Sequence, residues 1–530
     1  MKRMKPSSLL LNTIVTMLLY VLQATSDSPL NNFIHCLPHH SHPKSPTSAA
    51  IYTQNSSSYS SILLARISNL RFSTSSTPKP LAIIAAKHES HVQATIICAK
   101  SHGLQIRIRS GGHDYEGLSY VSEVPFVVLD MFNLRSIHLN LANGIAWVQS
   151  GATIGELYYR ISQRSNVYGF PAGACPTVGI GGHISGGGYG NMMRKYGLTV
   201  DNVIDAKLVD VNGRILDRKS MGEDVFWAIR GGGGSSFGVI LSWKIKLVPV
   251  PPKVTVFRVK KTIEEGATDV AYQWQLVATK LHEDLFIRVM PEVVNGSKEG
   301  KKTIQVSFIG QFLGEIDRLL PLVNKSFPEL GLQRSDCTEI PWVNSTVFWA
   351  DYSIETPINI LLSRKLSQIF LKSKSDYVKK PIPKAAMEKI WDFMVKGENV
   401  WMQWNPYGGR MHEISPSATP FPHRAGNLFL IQYYTFWEEE GIEATNHYVN
   451  FSRSFYEFMT PYVSRSPREA FLDYRDLDIG TNPSNSTNLH IARRTYGSKY
   501  YKDNFERLVH AKTLIDPENF FKDEQSIPPH

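Results

Sequence analysis

The segment GACPTVGIGGHISGGGYG, residues 173–190, contains eight glycines in eighteen positions. It belongs to a wider glycine-rich window, because 17 of the 37 glycines of this 530-residue chain lie between Gly169 and Gly238. Glycine tolerates backbone conformations and close contacts that a side chain would block. A ligand or a second stretch of backbone is therefore expected to lie close to the main chain in this window.

Two more glycine loops accompany the first. The segment RSGGHDYEG, residues 109–117, follows Gln105–Arg109, whose alternation of polar and apolar residues predicts a strand. The run Gly231–Gly234 follows a predicted helix and precedes a strand that is predicted from Val239. Bare backbone N–H groups in such loops bind phosphates, and a pyrophosphate needs several of them.

Spacing argues against the commoner glycine motifs. None of the three loops has the G-x-G-x-x-G or Walker A spacing, so a Rossmann-bound NAD and a P-loop nucleotide are disfavoured. Gly234–Gly238 matches G-x-S-x-G, but serine hydrolases have a strand before this motif and a helix after it, whereas here the order is reversed. His88 and His91 have the wrong spacing for a zinc site, and we predict no metal. A flavin dinucleotide fits the loops without either nucleotide fingerprint.

The N-terminus predicts secretion. Residues 1–26 combine a basic start with an apolar stretch from Leu9 to Leu22, which is typical of a signal peptide and shorter than the ~20 residues of a membrane span. We therefore expect no membrane span and a secreted or endomembrane location: apoplast, cell wall, vacuole or vesicles derived from the endoplasmic reticulum. N-glycans are expected at six sequons: Asn55, Asn295, Asn324, Asn344, Asn450 and Asn485.

The charge distribution argues against one class of partner, and the cysteines leave the disulfide pairing open. The formal net charge is +10, but Lys and Arg are spread singly along the chain, so no nucleic-acid partner is predicted. The four cysteines that follow the leader, Cys36, Cys98, Cys175 and Cys337, allow three full pairings, between which the sequence does not choose. We expect a monomer that acts on a small molecule.

The composition of the whole chain and its pattern of predicted helices and strands indicate an ordinary globular protein of the α+β class. It has 42% hydrophobic and 20% charged residues and is long enough for two or three cores. Short strands and helices alternate up to the cluster Pro249, Pro251 and Pro252, which suggests a boundary. Aromatic-rich strands such as Leu428–Trp437 follow, and a helix is predicted at Tyr500–Ile515.

Loops 109–117 and 173–190 resemble the two flavin-attachment loops of the plant berberine bridge enzyme-like family, which includes reticuline oxidase-like proteins and cannabinoid synthases. Further motifs similar to those of the family cover nearly the whole mature chain: Glu223–Gly234, Asn405–Gly409, Pro420–Arg424, Asp516–Phe521 and Glu524–Pro529.

This resemblance implies a division of the chain into domains. Residues 57–252 would form an FAD-binding domain of the vanillyl-alcohol oxidase (PCMH) type, with two α+β subdomains. Residues 253–467 would form an inserted α+β substrate-binding domain that contains an antiparallel sheet. Residues 468–530 would return to the FAD domain, which is thus built from the N-terminal half plus the C-terminal tail.

The resemblance also implies how FAD is held. It implies bicovalent FAD, bonded from His113 to the 8α-methyl group and from Cys175 to ring carbon 6, and a disulfide between Cys36 and Cys98 that leaves Cys337 free. An imidazole nitrogen and a thiolate are natural nucleophiles toward an electron-poor flavin ring. The other residues implied to bind the cofactor are Arg109, Ser110, Gly111, Gly112, Gly173, Thr177, Gly179, Gly181, Gly182, His183, Ser185, Gly188, Gly238 and Val239.

The family reaction is hydride transfer from a substrate carbon to flavin nitrogen 5, followed by reoxidation, usually by O2 with release of hydrogen peroxide. Val178 stands at the position where valine is associated with oxidases and leucine with poor use of oxygen, so the resemblance implies an oxidase. The expected substrate is a plant specialised metabolite, such as an alkaloid amine or a phenolic.

The group that would accept a proton is harder to assign. Strand periodicity puts Leu430 and Gln432 on one face, which the resemblance identifies as the active-site face. Relatives carry a glutamate base at the position of Gln432 or a lysine at that of Leu430, and this chain has neither. Cannabinoid synthases use the tyrosine at the position of Tyr474, so the resemblance implies Tyr474 as the candidate base, with Tyr115 and Tyr189 as hydrogen-bonding neighbours. A phenol with a pKa of ~10 needs a nearby cation to act as a base at neutral pH, and Leu430 does not supply one.

Several functions therefore stay open. Oxidation beside a neutral tertiary amine would need no base. Oxidation of a monolignol or an oligosaccharide alcohol would use Gln432 and Tyr474 to hold the hydroxyl group. A cyclisation could use FAD without net redox change, and a non-catalytic, basic wall or defence protein is a further alternative.

Overall fold

The computed structural model describes residues 28–297, 300–397, 399–482 and 488–530. The predicted signal peptide at residues 1–26 and the sequon at Asn485 lie outside these ranges. Among the described helices, none has both the length and the apolar character needed to cross a bilayer.

Helices and strands mix throughout, and the predicted α+β class is confirmed. The strands are β1 Ile51–Thr53, β2 Ala82–Ala85, β3 Gln105–Arg109, β4 Phe126–Asp130, β5 Ile137–Asn140, β6 Ile145–Gln149, β7 Tyr168–Gly169, β8 Val203–Val209, β9 Ile215–Leu216, β10 Val239–Lys246, β11 Val248–Pro249, β12 Val254–Thr262, β13 Leu285–Asn295, β14 Lys302–Phe312, β15 Cys337–Ile340, β16 Phe370–Val378, β17 Val400–Pro406 and β18 Phe429–Trp437. The α-helices are α1 Pro29–His40, α2 Tyr59–Leu64, α3 Glu89–Ser101, α4 Ile154–Ser162, α5 Ile180–Ser185, α6 Met193–Tyr196, α7 Arg218–Met221, α8 Glu223–Ile229, α9 Ala267–Val277, α10 Ile316–Ser326, α11 Trp342–Trp349, α12 Lys384–Gly397, α13 Arg410–Glu413, α14 Ile442–Met459, α15 Leu489–Ala492, α16 Ser498–Tyr501 and α17 Phe505–Ile515.

A four-stranded sheet of order β1-β2-β4-β3 carries the first glycine loop. Strands β2, β4 and β3 run parallel, and β2 and β4 are buried along their whole length, as strands covered on both faces are. The loop that begins at Ser110 leaves the carboxyl end of β3, which is the edge where parallel sheets bind ligands. Helix α3 packs on this sheet and is joined to α1 by the disulfide between Cys36 and Cys98, which confirms the implied pairing.

A five-stranded antiparallel sheet of order β5-β6-β10-β8-β9 packs beside the first and positions the second glycine loop. Helix α4 follows β6 and begins at a capping box, in which Thr153 and Glu156 bond to each other's backbone N–H groups. Ile154 N–H donates to the carbonyl of Val178, so the start of this helix fixes the loop that carries Cys175.

The third large element is a seven-stranded antiparallel sheet of order β15-β12-β14-β13-β17-β18-β16. One face is apolar and packs against helices α9, α10, α12 and α14, with Trp274, Trp404 and Ile431 among the buried side chains. The opposite face carries the residues that alternate with these, and it turns toward the glycine loops.

The C-terminal segment packs back on the first two sheets. Arg107 of β3 pairs with Glu524 at 2.9 Å, and Lys512 of α17 donates to the carbonyl of Ser236 at 2.6 Å. The continuous helix predicted at Tyr500–Ile515 is wrong, because Lys502 has a φ of 51° and separates α16 from α17. We keep the division at 57–252, 253–467 and 468–530 as a proposal.

Candidate active site

A cavity of about 720 Å³ lies where the glycine loops face the seven-stranded sheet. Its wall combines loop residues 110–115 and 173–189, side chains of the sheet and the C-terminal residues 471–475. Such a volume is typical of clefts for small ligands. Seventeen predicted site residues line it: Ser110, Gly111, Gly112, His113, Tyr115, Gly173, Cys175, Thr177, Gly179, Gly181, Gly182, His183, Ser185, Tyr189, Gly238, Gln432 and Tyr474.

Loops 109–117 and 173–190 touch each other through glycines. A Cβ atom on Gly111 would lie 2.4 Å from the backbone nitrogen of Gly179, so no larger residue fits at this crossing. Ser110 Oγ donates to the carbonyl of Ser150 at 2.6 Å and fixes the first loop to the end of β6. The close crossing brings residues that are about 65 positions apart in the sequence onto one wall of the cavity.

His113 and Cys175 meet at a shared neighbour. The Thr177 hydroxyl oxygen lies 3.0 Å from His113 Nε2 and 3.4 Å from Cys175 Sγ. Burial lowers the pKa of His113 to about 4, so its imidazole is neutral and keeps a lone pair at physiological pH. The thiol of Cys175 is free and exposed in the cavity wall. Two nucleophilic side chains therefore face the same space.

Arg109, Gly188 and Val239 are not among the lining residues. The Arg109 guanidinium is fully buried and pairs with Asp130 at 2.8 Å, so it fixes the strand behind the loop. Gly188 contributes its backbone N–H to Asp473 Oδ2 at 3.1 Å. Val239 is fully buried in the core between the first two sheets. These three residues support the wall from behind.

His183 and Asp473 occupy the part of the wall formed by the second glycine loop. The backbone N–H of Gly173 donates to His183 Nε2 at 3.2 Å, which assigns the ring proton to Nδ1. Burial lowers the pKa of His183 to about 4 and raises that of Asp473 to about 8. Burial thus favours the neutral form of both groups, whereas the charge of Arg475 and the N–H of Gly188 act on Asp473 in the opposite direction.

Polar side chains line the cavity face of the sheet in rows across neighbouring strands. Gln403 of β17 lies opposite Gln432 of β18, and the next row pairs Asn405 with Leu430. Val289 of β13 lies opposite Trp404, so Arg288 lies opposite Asn405. Successive residues of a strand alternate between its two faces. The predicted sharing of a face by Leu430 and Gln432 thus holds, although Leu430 is in the core and only Gln432 lines the cavity.

Tyr189 and Tyr474 form a hydrogen-bonded pair above this face. Their hydroxyl groups bond directly, and Tyr189 OH also accepts N–H bonds from Gln403 and Asn405, each at 3.0 Å. Tyr115 joins the group differently: its hydroxyl accepts from Gln432 Nε2 at 3.0 Å, and its ring packs edge-on against Tyr474. The three tyrosines named from the sequence are thus collected at one place.

Arg288 is the cation that sequence reasoning did not find. Its side chain lines the cavity, is 7% exposed, donates from Nε to Asn405 Oδ1 at 2.7 Å and lies 5.0 Å from the ring of Trp349. Burial raises the pKa of both Tyr189 and Tyr474, and the positive charge of Arg288 acts in the opposite direction on both. The tyrosine pair therefore has a nearby charge that favours its ionised form.

The residues of the cavity fit an FAD. The glycine loops offer bare backbone for a pyrophosphate, His113 and Cys175 offer two nucleophiles, and a Cβ on Gly182 would meet no atom within 4 Å, so this lining position faces open space. No other part of the described wall repeats this combination of bare backbone and nucleophiles.

Sequence reasoning missed Arg288, Gln403, Asn405 and Ser373, which donate or accept within the cavity face. The alternation in Val400–Pro406 was the available signal, because Trp401, Gln403 and Asn405 share one face of that strand. For Arg288 on β13 no local signal distinguishes it from a surface arginine.

Comparison with known families gives two matches. The FAD binding domain family matches residues 80–218, and the family described as berberine and berberine like matches residues 470–528. Berberine bridge enzyme-like 4 of Arabidopsis thaliana is 57% identical over 520 residues, which cover 97% of this chain and 98% of that protein.

Solved structures agree with these matches. Berberine bridge enzyme-like 28 from Arabidopsis thaliana superposes with a TM-score of 0.88 at 46% identity and covers 94% of this chain and 99% of that one. Phl p 4, a grass pollen allergen with glucose dehydrogenase activity, superposes with a TM-score of 0.88 at 43% identity, with the same two coverages.

Proposed function

The chain belongs to the berberine bridge enzyme-like family of FAD-dependent oxidoreductases, and on that premise we propose that it is a secreted oxidase of a small-molecule alcohol. The observation that carries the proposal is the Tyr189–Tyr474 pair, which faces the same cavity as His113 and Cys175 and lies beside Arg288. Such a pair can take the hydroxyl proton of an alcohol.

FAD, when bound, supplies the hydride acceptor and returns the electrons to O2 as hydrogen peroxide. His113 and Cys175 would hold it through two covalent bonds. The proposal is supported by the neutral imidazole of His113, the free thiol of Cys175 and their common neighbour Thr177.

The tyrosine pair would accept the proton as a unit. The Tyr189 oxygen receives N–H bonds from Gln403 and Asn405, which stabilise a negative charge on it. In the reactive form Tyr189 would be ionised, and Arg288 would stabilise that phenolate through space and through Asn405. Tyr474 would pass its proton to Tyr189 as it takes the hydroxyl proton of the substrate, which leaves both phenols neutral. Because the two phenols share one hydrogen bond, they titrate together.

The amide side chains and aromatic rings of the cavity face would orient the substrate. Gln432 donates to Tyr115 and Ser373, so its amide is fixed beside the tyrosine pair. Trp401 and Tyr434 stack with ring centroids 4.5 Å apart one row further along the sheet. An alcohol attached to a ring would thus find polar groups at its hydroxyl end and aromatic rings beyond them.

Use of oxygen is proposed from Val178, which is half-buried and lines the cavity. In a solved relative the same residue type separates two activities: wild-type Phl p 4 is described as a glucose dehydrogenase and an isoleucine-to-valine variant as a glucose oxidase. A small side chain at Val178 would leave room for O2.

Secretion and N-glycosylation stay proposals that the described surface supports. The sequon asparagines Asn55, Asn295, Asn324 and Asn450 are exposed, and Asn344 is half-buried. Glycan addition at these four exposed sites would not disturb a core.

Oxidation of an alkaloid amine is the second candidate, because it needs no base. An anaerobic screen separates the two: the flavin of the purified protein is mixed with monolignols, oligosaccharides and tertiary amines, and its bleaching is followed near 450 nm. We expect an alcohol to bleach it. Tyr474→Phe should slow that bleaching by about a thousandfold, since a positioned acid–base group contributes ~10²–10⁴. Bleaching by amines only, at the same rate in the variant, would contradict the proposal.

A further inference from the structure

Two lysines of β16 are buried on the side of the sheet that faces away from the cavity. Lys372 and Lys374 are 2% and 1% exposed. Ser373, between them, points to the cavity face and bonds Gln432 at 3.1 Å. Lys374 Nζ lies 4.8 Å from the ring of Tyr456 on α14, which packs on the opposite face. Strand β16 is the edge of the sheet, so neighbouring segments can pass around it.

Both ammonium groups are held by carboxylates from outside the sheet. Lys372 pairs with Glu116, and with Asp476 at 2.7 Å; Lys374 pairs with Asp476 and Asp478, each at 2.7 Å. Arg453 adds a third cation at 2.7 Å from Asp478. We call these five residues, Glu116, Lys372, Lys374, Asp476 and Asp478, the lysine cluster.

Three members of the lysine cluster have pKa shifts that favour their charged forms. Despite burial, its carboxylates raise the pKa of Lys372, and the cations lower the pKa of Asp476 and Asp478 against the same burial. With Arg453 and with Arg71, which lies 3.7 Å from Glu116, four cations face three anions. Ions without access to water keep a single geometry only when all partners are present, because an unpaired buried charge is strongly unfavourable.

Two of the three carboxylates lie within two positions of a tyrosine that lines the cavity. Glu116 follows Tyr115 directly, and Asp476 lies two residues after Tyr474. Both segments therefore straddle the edge strand, with a tyrosine on its cavity face and a carboxylate on its other face. Asn69 also joins the Tyr115 segment to β16, since its side-chain amide donates to the carbonyls of Tyr115 and Leu371, at 2.8 and 3.1 Å.

We propose that the lysine cluster positions the active site by fixing Tyr115 and Tyr474 against each other across β16. None of its members lines the cavity, so they act as positioning residues. The segment that ends at Glu116 also carries His113, so the same cluster fixes one proposed attachment point of the flavin. The assignment rests on the proposed function only for the role of the tyrosines, because the coupling of the two segments is a property of the fold.

This role differs from that of an ordinary stabilising ion pair. A buried ion pair often adds little net stability compared with an apolar replacement, so stability alone gives no reason for two lysines here. The geometry of the active site gives a reason for the two lysines, because a displacement of a reacting group by about 1 Å can lower the rate about 10²-fold. A single cluster that binds both segments removes their independent motion.

The experiment uses the flavin-loaded protein and the double variant Lys372→Met with Glu116→Gln, which removes one cation and one anion together. Hydrogen–deuterium exchange is followed in peptides that cover residues 113–118 and 471–478, and the visible circular dichroism of the bound flavin is recorded. We expect exchange at least about tenfold faster in both segments together and a changed flavin band. Glu116→Gln alone is the milder variant if the double variant does not fold, and it should give the same pattern with smaller amplitude.

Lys379→Met is the matched control, because Lys379 follows the same strand and pairs with Glu469, which keeps His423 and Lys502 as partners. It should leave both segments and the flavin band unchanged. With an alcohol that bleaches the wild-type flavin, the double variant should show a limiting rate about 10- to 100-fold lower and half-saturation within about twofold. Wild-type exchange in both segments, or a change in only one, would overturn the proposal. Neither exchange nor dichroism requires a substrate, so failure of the proposed alcohol oxidation is a separate result.

Discussion

Two walls of the cavity differ in how the chain builds them. The glycine loops, residues 110–115 and 173–189, are short contiguous stretches that are held by contacts between glycines and by the capped start of α4. The cavity face of the sheet takes Arg288, Gln403 and Gln432 from three strands, and the tyrosine pair from two distant segments. In the proposed function, the first wall would hold the flavin and the second would act on the substrate.

The two walls differ in the sequence separation of their residues: those of the first wall lie in local motifs, and those of the second wall come from distant strands. The loops work through backbone shape, which a local motif specifies almost completely. The sheet face works through register, because a residue contributes only if strand pairing places it in the right row. Substitutions in the two walls should therefore have separable effects, on retention of flavin and on its rate of reduction.

The largest effect is expected where both proposed attachment points are removed. In the double variant His113→Ala with Cys175→Ala, denaturation should release all the flavin into the supernatant, whereas in the wild type it should stay with the precipitated protein. Each single variant should retain the colour in the pellet, because one covalent bond suffices. Free flavin from denatured wild-type protein would show that the loops bind it only non-covalently.

The next effect concerns the anion-stabilising member of the tyrosine pair. Tyr189→Phe removes the oxygen that accepts from Gln403 and Asn405, and the limiting rate of flavin reduction by an alcohol should fall by about a thousandfold. Stopped-flow absorbance measures this rate, and the flavin content should equal that of the wild type. A loss of flavin with an unchanged rate per bound flavin would place Tyr189 in the first wall instead of the second.

Arg288→Met should have a smaller effect that depends on pH. Arg288 favours the ionised form of both phenols, so its removal raises the pKa of the pair and moves the rising limb of the rate–pH profile to higher pH. A shift of about one unit or more is expected, with a rate at neutral pH about 10- to 100-fold lower. Arg288→Lys keeps the charge and should keep the profile near that of the wild type. An unshifted profile in Arg288→Met would remove this residue from the account.

Val178→Leu should change reoxidation and leave reduction intact. The larger side chain fills space in the first wall, so the bleached flavin should recover its colour in air several-fold more slowly, while the anaerobic rate stays the same. An artificial electron acceptor should restore turnover. Equal recovery in the variant and in the wild type would mean that oxygen reaches the flavin by another route.

The smallest effect is a pH slope of stability. Burial holds the pKa of His183 at about 4, below the ordinary value near 6.5, so the unfolded chain binds a proton first as the pH falls. The contribution of His183 to the free energy of unfolding should be fully present above pH 6.5 and should be lost as the pH falls toward 4, which amounts to about 3 kcal/mol. Chemical denaturation of His183→Gln at several pH values should show a shallower slope than the wild type. Parallel slopes would mean that His183 is accessible to protons in the folded state.

The first wall could be predicted from the sequence because its chemistry is local. His113, Cys175, Thr177 and most of the predicted glycines lie in two motifs and line the cavity, whereas Gly188 supports the wall from behind. Arg109 shows where local reading reaches its limit: it stands in the same motif, yet its charge is used by Asp130 behind the strand. Sequence alone does not tell which side of the loop a side chain faces.

The second wall could be predicted only in part. Gln432 and the three tyrosines were named, but Arg288 and Asn405 reach the tyrosine pair through the pairing of β13 with β17, which no local pattern specifies. The helix predicted at Tyr500–Ile515 is interrupted at Lys502, which has a φ of 51° and forms a long-range ion pair with Glu469 at 2.9 Å. Long-range register and packing thus account for most of what the sequence did not reveal.

The central claim is that the enzyme oxidises an alcohol and passes the electrons to O2. The direct measurement is the ratio of hydrogen peroxide formed to alcohol consumed in air, for a compound that bleaches the flavin anaerobically. One peroxide per molecule oxidised is the result expected. Conversion of the compound with neither oxygen consumption nor peroxide would contradict the claim and indicate a reaction without net oxidation.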